Sequence, residues 1–250
     1  MTNAQQITES KKAEWYSPTY YEAVAKNSGQ GDIAQLIIEQ INPKSVVEVG
    51  CASGVLLKEL TYRNSKVEIL GIDGNWINDK QLQIPIISFM HHDITKPINM
   101  NRRFDLCVCL EVAEHIDEKY ADILINSLTE LSDTVLFSAA IPYQEHKKRY
   151  HLNEQWQSYW AEKFKVHGYI PNSKMRELLW NKKEVESWYR QNVLLYRKNI
   201  ASEAITTDVV CPESYLRYAD PKTLPLRTLF KAARYAPKRI FKYLITGKSN

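Results

Sequence analysis

The sequence predicts an α/β fold built on a doubly wound, mostly parallel β-sheet. Short runs rich in Val, Ile and Leu alternate with helical stretches, as in consecutive βαβ units. These runs are almost entirely apolar, which is typical of strands buried on both faces of a parallel sheet. The predicted strands are 46–49, 68–72, 86–90, 106–110, 134–139 and, as a late antiparallel edge strand, 192–197.

Helices are predicted between the strands from apolar residues at helical spacing. The segments 32–41, 53–63 and 117–131 each place such residues on one face, and Ser53 is a suitable N-cap for the second helix. After Ala140 the chain becomes rich in Trp, Tyr and His, with helical spacing over 153–164. Residues 200–224 have no regular pattern, so we predict irregular structure there.

Composition excludes several classes of protein. The chain has 250 residues, of which 44% are hydrophobic and 25% charged, so it is neither disordered nor fibrous. No apolar run is long enough to cross a bilayer, and the polar N-terminus has no signal-peptide core. The four scattered cysteines favour reduced thiols without structural zinc, so we expect a cytoplasmic protein.

The formal net charge of +4 is unevenly distributed. Residues 221–250 hold eight Lys and Arg and no acid, whereas the first 220 residues hold 25 bases and 29 acids. The acidic body lacks the basic surface that phosphate contacts require, so we expect no nucleic-acid partner. In the tail 222–250, apolar and basic residues separate on a helical projection. Either it contacts anionic membranes peripherally, or it packs as a helix on the body.

The main motif is Val46 to Gly54, VVEVGCASG. An apolar strand ends next to Glu48, and a turn containing Gly50 and Gly54 opens a helix. Such glycines allow positive φ and a close approach of backbone to ligand, and the helix N-terminus favours a polar or anionic group.

Polar residues also follow the next three predicted strands. Asp73 ends the second strand, 19 residues after Gly54, where an acid is placed to accept ribose hydroxyls. Asp93 follows the third strand, and the fourth ends in LEVAEHI with Glu111, Glu114 and His115. Because carboxyl ends of parallel strands share one edge, these groups should line one crevice.

Together these motifs resemble class I S-adenosylmethionine-dependent methyltransferases, over roughly residues 30–197. The resemblance implies a Rossmann-like methyltransferase fold with a seven-stranded sheet and S-adenosylmethionine as cofactor. In the first motif, Ala52 replaces the family's middle glycine. The cofactor-binding residues it implies are Glu48, Gly50, Cys51, Gly54, Asp73, Gly74, Asn75, Trp76, Asp93, Ile94, Leu110 and Glu111.

The same resemblance divides the chain into three parts. It implies an N-terminal lid over 1–29, a cofactor-binding domain over 30–199 with an acceptor-side insertion at about 141–190, and a C-terminal extension over 200–250. The implied substrate contacts are Tyr20, Tyr21, Tyr143, Asn153 and Glu154. The run from His151 to Tyr169 with the later WYRQNVLLYR resembles methyltransferases associated with polysaccharide or glycoconjugate biosynthesis.

Two histidines are candidate catalytic groups. His115 either acts as general base toward an acceptor or hydrogen-bonds a loop carbonyl. His151 either faces the acceptor pocket or is an ordinary residue at a helix start. No compact metal-ligand cluster is visible in the sequence, so we predict no metal site.

Rival functions fit the motifs less well. A dinucleotide-binding dehydrogenase needs a G-x-G-x-x-G spacing, which the turn lacks. Amino-methylating DNA enzymes carry an Asn- or acid-Pro-Pro-aromatic run where this chain reads Leu-Glu-Val-Ala. We therefore predict a methyltransferase acting on a hydroxyl or amine of a small molecule or glycan. The alternative is a non-catalytic scaffold of the same fold, or a membrane-surface partner protein.

Overall fold

The computed structural model describes residues 29–144, 151–198 and 205–219, which form a single seven-stranded sheet covered by helices. The strands are β1 (Ser45–Val49), β2 (Glu68–Asp73), β3 (Phe89–His91), β4 (Leu106–Leu110), β5 (Thr134–Ser138), β6 (Tyr169–Asn172) and β7 (Leu194–Lys198). Their order is β3-β2-β1-β4-β5-β7-β6. The first five strands are parallel, and β7 is antiparallel to β5 and β6. The predicted fold class is confirmed.

Two predictions at the sheet edges were wrong. The third strand begins at Phe89, because Ile86–Ser88 after Pro85 forms a 3-10 helix. The late strand β7 is antiparallel as predicted, but it lies inside the sheet. The edge strand is β6, which was not predicted from the sequence. Its Pro171 cannot donate to a strand ladder, and such a residue is tolerated at an edge.

The α-helices are α1 (Gln30–Gln40), α2 (Val55–Arg63), α3 (Ala121–Leu131), α4 (Gln157–Val166), α5 (Lys174–Leu179), α6 (Ser187–Asn192) and α7 (Pro212–Ala219). Ser53 is not the N-cap of α2, because the left-handed Gly54 occupies that position. The predicted helix 117–131 splits into a 3-10 turn capped by Asp117 and then α3. Since α7 lies within 200–224, the prediction of irregular structure there was wrong in part.

Alternate residues of the central strands face two separate apolar layers. Val47 and Val49 of β1 pack with α3 on one side of the sheet. Val46 packs with α1 and α2 on the other side. Burial on both faces therefore explains the uninterrupted apolar runs.

Part of the predicted C-terminal extension packs on the body of the protein. Asp208 accepts hydrogen bonds from the backbone N–H and hydroxyl of Ser158, both at 2.7 Å. The N–H of Cys211 donates to the Gln191 side chain at 2.9 Å, and Cys211 is 1% exposed. Residues 1–28 of the predicted lid 1–29, and the basic tail 222–250, lie outside the described residues. None of the helices in the described part of the chain has the length and apolar character to cross a membrane.

Candidate active site at the carboxyl edge of the sheet

The glycine-rich turn after β1 is held against the end of β2. The N–H groups of Gly50 and Cys51 both donate to the carbonyl of Ile72, at 2.8 and 3.3 Å. Gly50 has φ +77°, and a Cβ there would lie 2.4 Å from the Val112 side chain. The turn thus requires glycine at this position and packs directly against the loop that follows β4.

Asp73 fixes the second side of this turn. One carboxylate oxygen accepts the N–H of Ala52 and the other the N–H of Gly74, both at 2.7 Å. Ala52 itself has φ +50°, a left-handed conformation that favours glycine. Asp73 is 7% exposed, so its carboxylate is an internal tie between the ends of β1 and β2.

The segment after Asp73 contains the residues implied to lie near adenine. The Trp76 ring covers Gly74 so closely that a Cβ on Gly74 would meet ring carbons at 2.2 Å. Gly74 therefore accommodates the tryptophan, while Asn75 is exposed. An aromatic ring on a glycine platform beside Asp73 suits contact with a planar base.

Glu48 is a buried acid in the middle of the sheet. It lies opposite Gly71 of β2 and Val108 of β4. One of its carboxylate oxygens is buried with no hydrogen-bond partner among the described residues. Burial, and secondarily the charge of Asp73, raises the pKa of Glu48 well above its ordinary value. An unpartnered buried carboxyl beside a glycine-rich turn fits a ligand that carries a cationic group.

Other residues implied for the cofactor have structural roles as well. The Asp93 carboxylate accepts the N–H and the hydroxyl of Thr95, at 3.1 and 2.7 Å, so it caps a turn. Ile94 belongs to the apolar core. Leu110 ends β4. Burial raises the pKa of the Cys51 thiol well above its ordinary value, which makes it an unreactive packing group.

Glu111 begins the second half of the site, on the loop after β4. It has φ +54°, which is strained for a residue with a side chain. Its N–H donates to the Ser138 carbonyl at 3.0 Å. Its carboxylate accepts from Gln144 at 2.8 Å and from Asn192 at 3.1 Å. Burial raises its pKa, and these hydrogen bonds oppose that shift.

Glu114 lies in the 3-10 turn Ala113–His115 and is 1% exposed. One of its carboxylate oxygens is buried without a hydrogen-bond partner in the described part of the chain. Burial, followed by the charge of Glu111, raises its pKa well above the ordinary value. Its carbonyl accepts the N–H groups of Leu152 and Asn153, at 2.7 and 3.0 Å, so the insertion is anchored here.

That anchor brings the two predicted catalytic histidines together. The rings of His115 and His151 meet edge to face, with centroids 5.0 Å apart. Nδ1 of His151 lies 2.9 Å from a carboxylate oxygen of Glu154. The other Glu154 oxygen accepts the N–H of Tyr143 at 2.9 Å. We call Glu111, Glu114, His115 and His151 the acid–histidine cluster.

The residues implied for substrate binding are spread over different environments. Glu154 holds His151 in place. Asn153 is 3% exposed and accepts from Gln155 at 3.0 Å. Tyr143 is 73% exposed, at φ +73°, on the surface beside the cluster. Tyr20 and Tyr21 lie outside the described residues.

From the sequence, Glu114 was placed in the crevice without a specific role, and Gln144 and Asn192 were not predicted at all. An acid three residues after Glu111 and directly before a histidine was a local signal for Glu114. No local signal existed for Asn192, which reaches Glu111 from 81 residues further along the chain. The sequence alone predicted no metal site. In the structure, however, candidate ligand atoms of Glu114, His115 and His151 lie within 4.8 Å of one another.

This sheet order, with a glycine-rich turn after β1 and polar groups after β2 and β4, defines the Rossmann-like class of methyltransferase folds, and solved structures agree. An O-methyltransferase family protein from Burkholderia thailandensis superposes with a TM-score of 0.55 at 10% identity, over 79% of this chain and 64% of that one. Human N-acetylserotonin methyltransferase, in complex with S-adenosylmethionine, gives 0.51 at 12% identity, over 80% and 61%. The methyltransferase domain of a bacterial Hen1 gives 0.51 at 16%, over 70% and 100%.

A family model described as "Methyltransferase domain" matches residues 26–183, and the chain belongs to that family. A search of curated proteins found no match. This chain spans less than two thirds of the length of the Burkholderia thailandensis protein and of human N-acetylserotonin methyltransferase. The expected family and fold are confirmed, and S-adenosylmethionine is the cofactor of this family; the buried Glu48 oxygen and the glycine cradle fit it.

Proposed function

We propose that this protein transfers the methyl group of S-adenosylmethionine to a hydroxyl oxygen of a small molecule or of a sugar in a glycoconjugate. Family membership and fold support methyl transfer as the reaction class. The observation that carries the choice of a hydroxyl is the acid–histidine cluster beside the glycine-rich turn. A hydroxyl must lose its proton during transfer, so it gains most from such groups.

The residues of the first three strands would hold the cofactor. The Glu48 carboxylate would face the cationic methionine end, and the turn with Gly50 would bring backbone close to it. Asp73, which ties the turn, would accept ribose hydroxyls, and Trp76 would lie near the base. When bound, S-adenosylmethionine supplies an electrophilic methyl on a sulfonium.

The transfer itself is an in-line displacement. The acceptor oxygen forms a bond to the methyl carbon while the carbon–sulfur bond breaks. The electron pair of the broken bond stays on sulfur, which gives S-adenosylhomocysteine. The hydroxyl proton leaves toward the acid–histidine cluster. Since the sulfonium is already reactive, the chain mainly aligns the partners and excludes water. A positioned proton acceptor contributes roughly 10²–10⁴-fold.

The proximity of Val112 to Gly50 supports the assignment of the cofactor to the glycine-rich turn and of the acceptor to the acid–histidine cluster. Val112 lies between Glu111 and Glu114, and its side chain fills the space that a Cβ on Gly50 would occupy. The cofactor turn and the acid–histidine cluster therefore share one crevice wall.

The acceptor class is tested with radiolabelled S-adenosylmethionine and a panel of acceptors. Oligosaccharides and glycolipid precursors, phenols, amines and RNA oligonucleotides would be compared at equal concentration. We expect label in a hydroxyl compound, and loss of transfer without loss of cofactor binding in His151→Gln. Exclusive labelling of amines or RNA would overturn the proposed acceptor. Cofactor binding without transfer to any arm would favour the scaffold alternative.

A further inference from the structure

The acid–histidine cluster has the composition and spacing of a metal site. Candidate ligand atoms of Glu114, His115 and His151 all lie within 4.8 Å of one another. Two ligand atoms on opposite sides of one cation, with bonds of about 2.1 Å, are separated by about 4.2 Å. Small side-chain rotations would therefore close these three groups onto a single ion.

A buried oxygen points to a missing partner inside this cluster. Glu114 is 1% exposed, and one of its carboxylate oxygens has no hydrogen-bond partner in the part of the chain that the structure describes. Leaving a buried polar atom unpaired costs free energy comparable to a lost hydrogen bond. A cation bound to this oxygen would remove that cost.

The groups around the cluster already orient its ligands. Glu154 contacts Nδ1 of His151 at 2.9 Å, and the N–H of Tyr143 fixes the other Glu154 oxygen. A carboxylate on the second ring nitrogen is the usual support of a metal-binding histidine. This contact assigns Nε2 of His151 as the ligand nitrogen.

A second carboxylate lies next to the three ligands. Glu111 is held by Gln144 and Asn192 in a strained left-handed conformation. With Glu114 it would supply two negative charges, which a divalent cation neutralises. Residues held in a strained backbone conformation by their surroundings are common at functional sites.

Two simpler explanations account for less of this arrangement. Core packing alone would bury both imidazoles fully, whereas His115 and His151 are only partly buried. A single general base would need one imidazole and one orienting acid. Neither explains why Glu114 keeps an unpaired oxygen beside two imidazoles.

We propose that Glu114, His115 and His151 bind one divalent first-row transition metal ion, with Glu111 balancing its charge. Mixed imidazole and carboxylate ligands suit Mn²⁺, Fe²⁺, Co²⁺ or Zn²⁺ better than Mg²⁺, which prefers oxygen ligands alone. His115 and His151 are partly exposed, so an ion held by these three protein ligands would keep further coordination positions for other ligands.

The role of the ion rests on the proposed function. An acceptor hydroxyl on one open position would be held in line with the methyl and would lose its proton more easily. A second, neighbouring oxygen of the acceptor would fill another position. The site therefore selects acceptors with two adjacent oxygens, such as the vicinal diol of a sugar.

Binding is tested on the full chain, freed of affinity tags and stripped with a chelator. Co²⁺ is titrated while its visible absorption is recorded, and affinity is compared with that for Mg²⁺ by calorimetry. We expect one Co²⁺ per chain, and at least about tenfold weaker binding in both Glu114→Gln and His151→Gln. His167→Gln, at the C-terminal end of α4, is the matched control and should bind as wild type does.

Thermal unfolding of each variant shows whether it is folded. If Glu114→Gln or His151→Gln misfolds, His115→Gln is measured in its place. Absence of Co²⁺ binding, or equal binding in the ligand variants and the His167→Gln control, overturns the site. Methyl transfer is measured on the same samples with and without chelator. Transfer that persists unchanged overturns the role of the ion and leaves the proposed function standing. Metal binding without methyl transfer to any hydroxyl overturns the proposed function and leaves the metal site standing.

Discussion

The two halves of the crevice are assembled in different ways. The half that we propose for the cofactor, called the cofactor half, lies within one βαβ unit. It consists of the turn from Glu48 to Gly54 and of Asp73, and backbone N–H groups of the turn donate to the Ile72 carbonyl and to the Asp73 carboxylate. The half that we propose for the acceptor, called the acceptor half, is made by segments that are distant in sequence. Glu111 meets Asn192, and Glu114 holds the chain at Leu152 and Asn153.

Because the two halves are assembled from different parts of the chain, a substitution in one should leave the other intact. A change in the turn acts on local backbone geometry and should abolish cofactor binding. A change in the anchors of the insertion should displace His151 while leaving the cofactor half intact. Each of the following variants tests one side of that division.

The largest effect is expected from Gly50→Ala. A side chain at φ +77° costs about 1–2 kcal/mol, and its Cβ would overlap Val112. We expect the free energy of unfolding in urea to fall by at least about 2 kcal/mol and cofactor binding to be lost.

Gly31→Ala is the matched control, because Gly31 lies in α1 and a Cβ there meets the flexible ends of the Arg63 and Glu59 side chains, at 3.0 and 3.4 Å. In a helix this change is neutral or stabilises by roughly 0.5–1 kcal/mol. Equal losses in the two variants would show that the turn has no special geometry.

Asp73→Asn should come next. The amide oxygen can replace one of the two accepted hydrogen bonds, and the negative charge is lost. We expect the dissociation constant for S-adenosylmethionine, measured by calorimetry, to rise about 10–100-fold.

Asp93→Asn changes an acid that follows a neighbouring strand but caps the turn at Thr95. Its effect on the same constant should stay below about threefold. A larger rise in the dissociation constant for Asp93→Asn than for Asp73→Asn would place the ribose at Asp93 and contradict its proposed position at Asp73.

Leu152→Pro tests the acceptor half. Proline lacks the N–H that donates to the Glu114 carbonyl at 2.7 Å, so His151 loses one of its anchors. We expect methyl transfer to fall about tenfold or more while cofactor affinity is unchanged.

Leu152→Ala keeps the N–H, and the leucine side chain is half exposed, so this control should retain its activity. A loss of cofactor binding in Leu152→Pro would show that the two halves are not independent.

Glu48→Gln should change the free energy of unfolding by an amount that depends on pH. Burial raises the pKa of Glu48, so its contribution to stability is fully present below its unfolded-state pKa and is lost as pH rises through the folded-state pKa. Glutamine does not titrate. The variant should gain stability over the wild type with rising pH, by at most about 1.4 kcal/mol per pH unit.

Glu68→Gln is a control of opposite sign on the neighbouring strand. The hydrogen bond from Arg102 lowers the pKa of Glu68, so its contribution is present at neutral pH and is lost on acidification. Urea unfolding from pH 3 to pH 8 measures both variants, because the contribution of Glu68 is lost only below its ordinary pKa of about 4.3, whereas that of Glu48 is lost above it. The same pH slope for both would contradict the assignment of Glu48 as a desolvated acid.

Most of the sheet could be predicted, because strands buried on both faces are written as continuous apolar runs. The exceptions were β6, which is short and contains Pro171, and the start of β3, where Ile86 and Ile87 form an apolar 3-10 turn. Hydrophobicity alone cannot separate such a turn from a strand.

The sequence by itself determined the glycine-rich turn and the acids next to it that form the proposed cofactor half, because they lie within one βαβ unit, where chain connectivity sets the geometry. Only the tertiary structure decided the acceptor half. His151 reaches Glu114 and His115 through backbone hydrogen bonds, and Asn192 reaches Glu111 across the sheet. No local pattern encodes a meeting of residues so far apart, since it depends on how the whole sheet and its insertion pack.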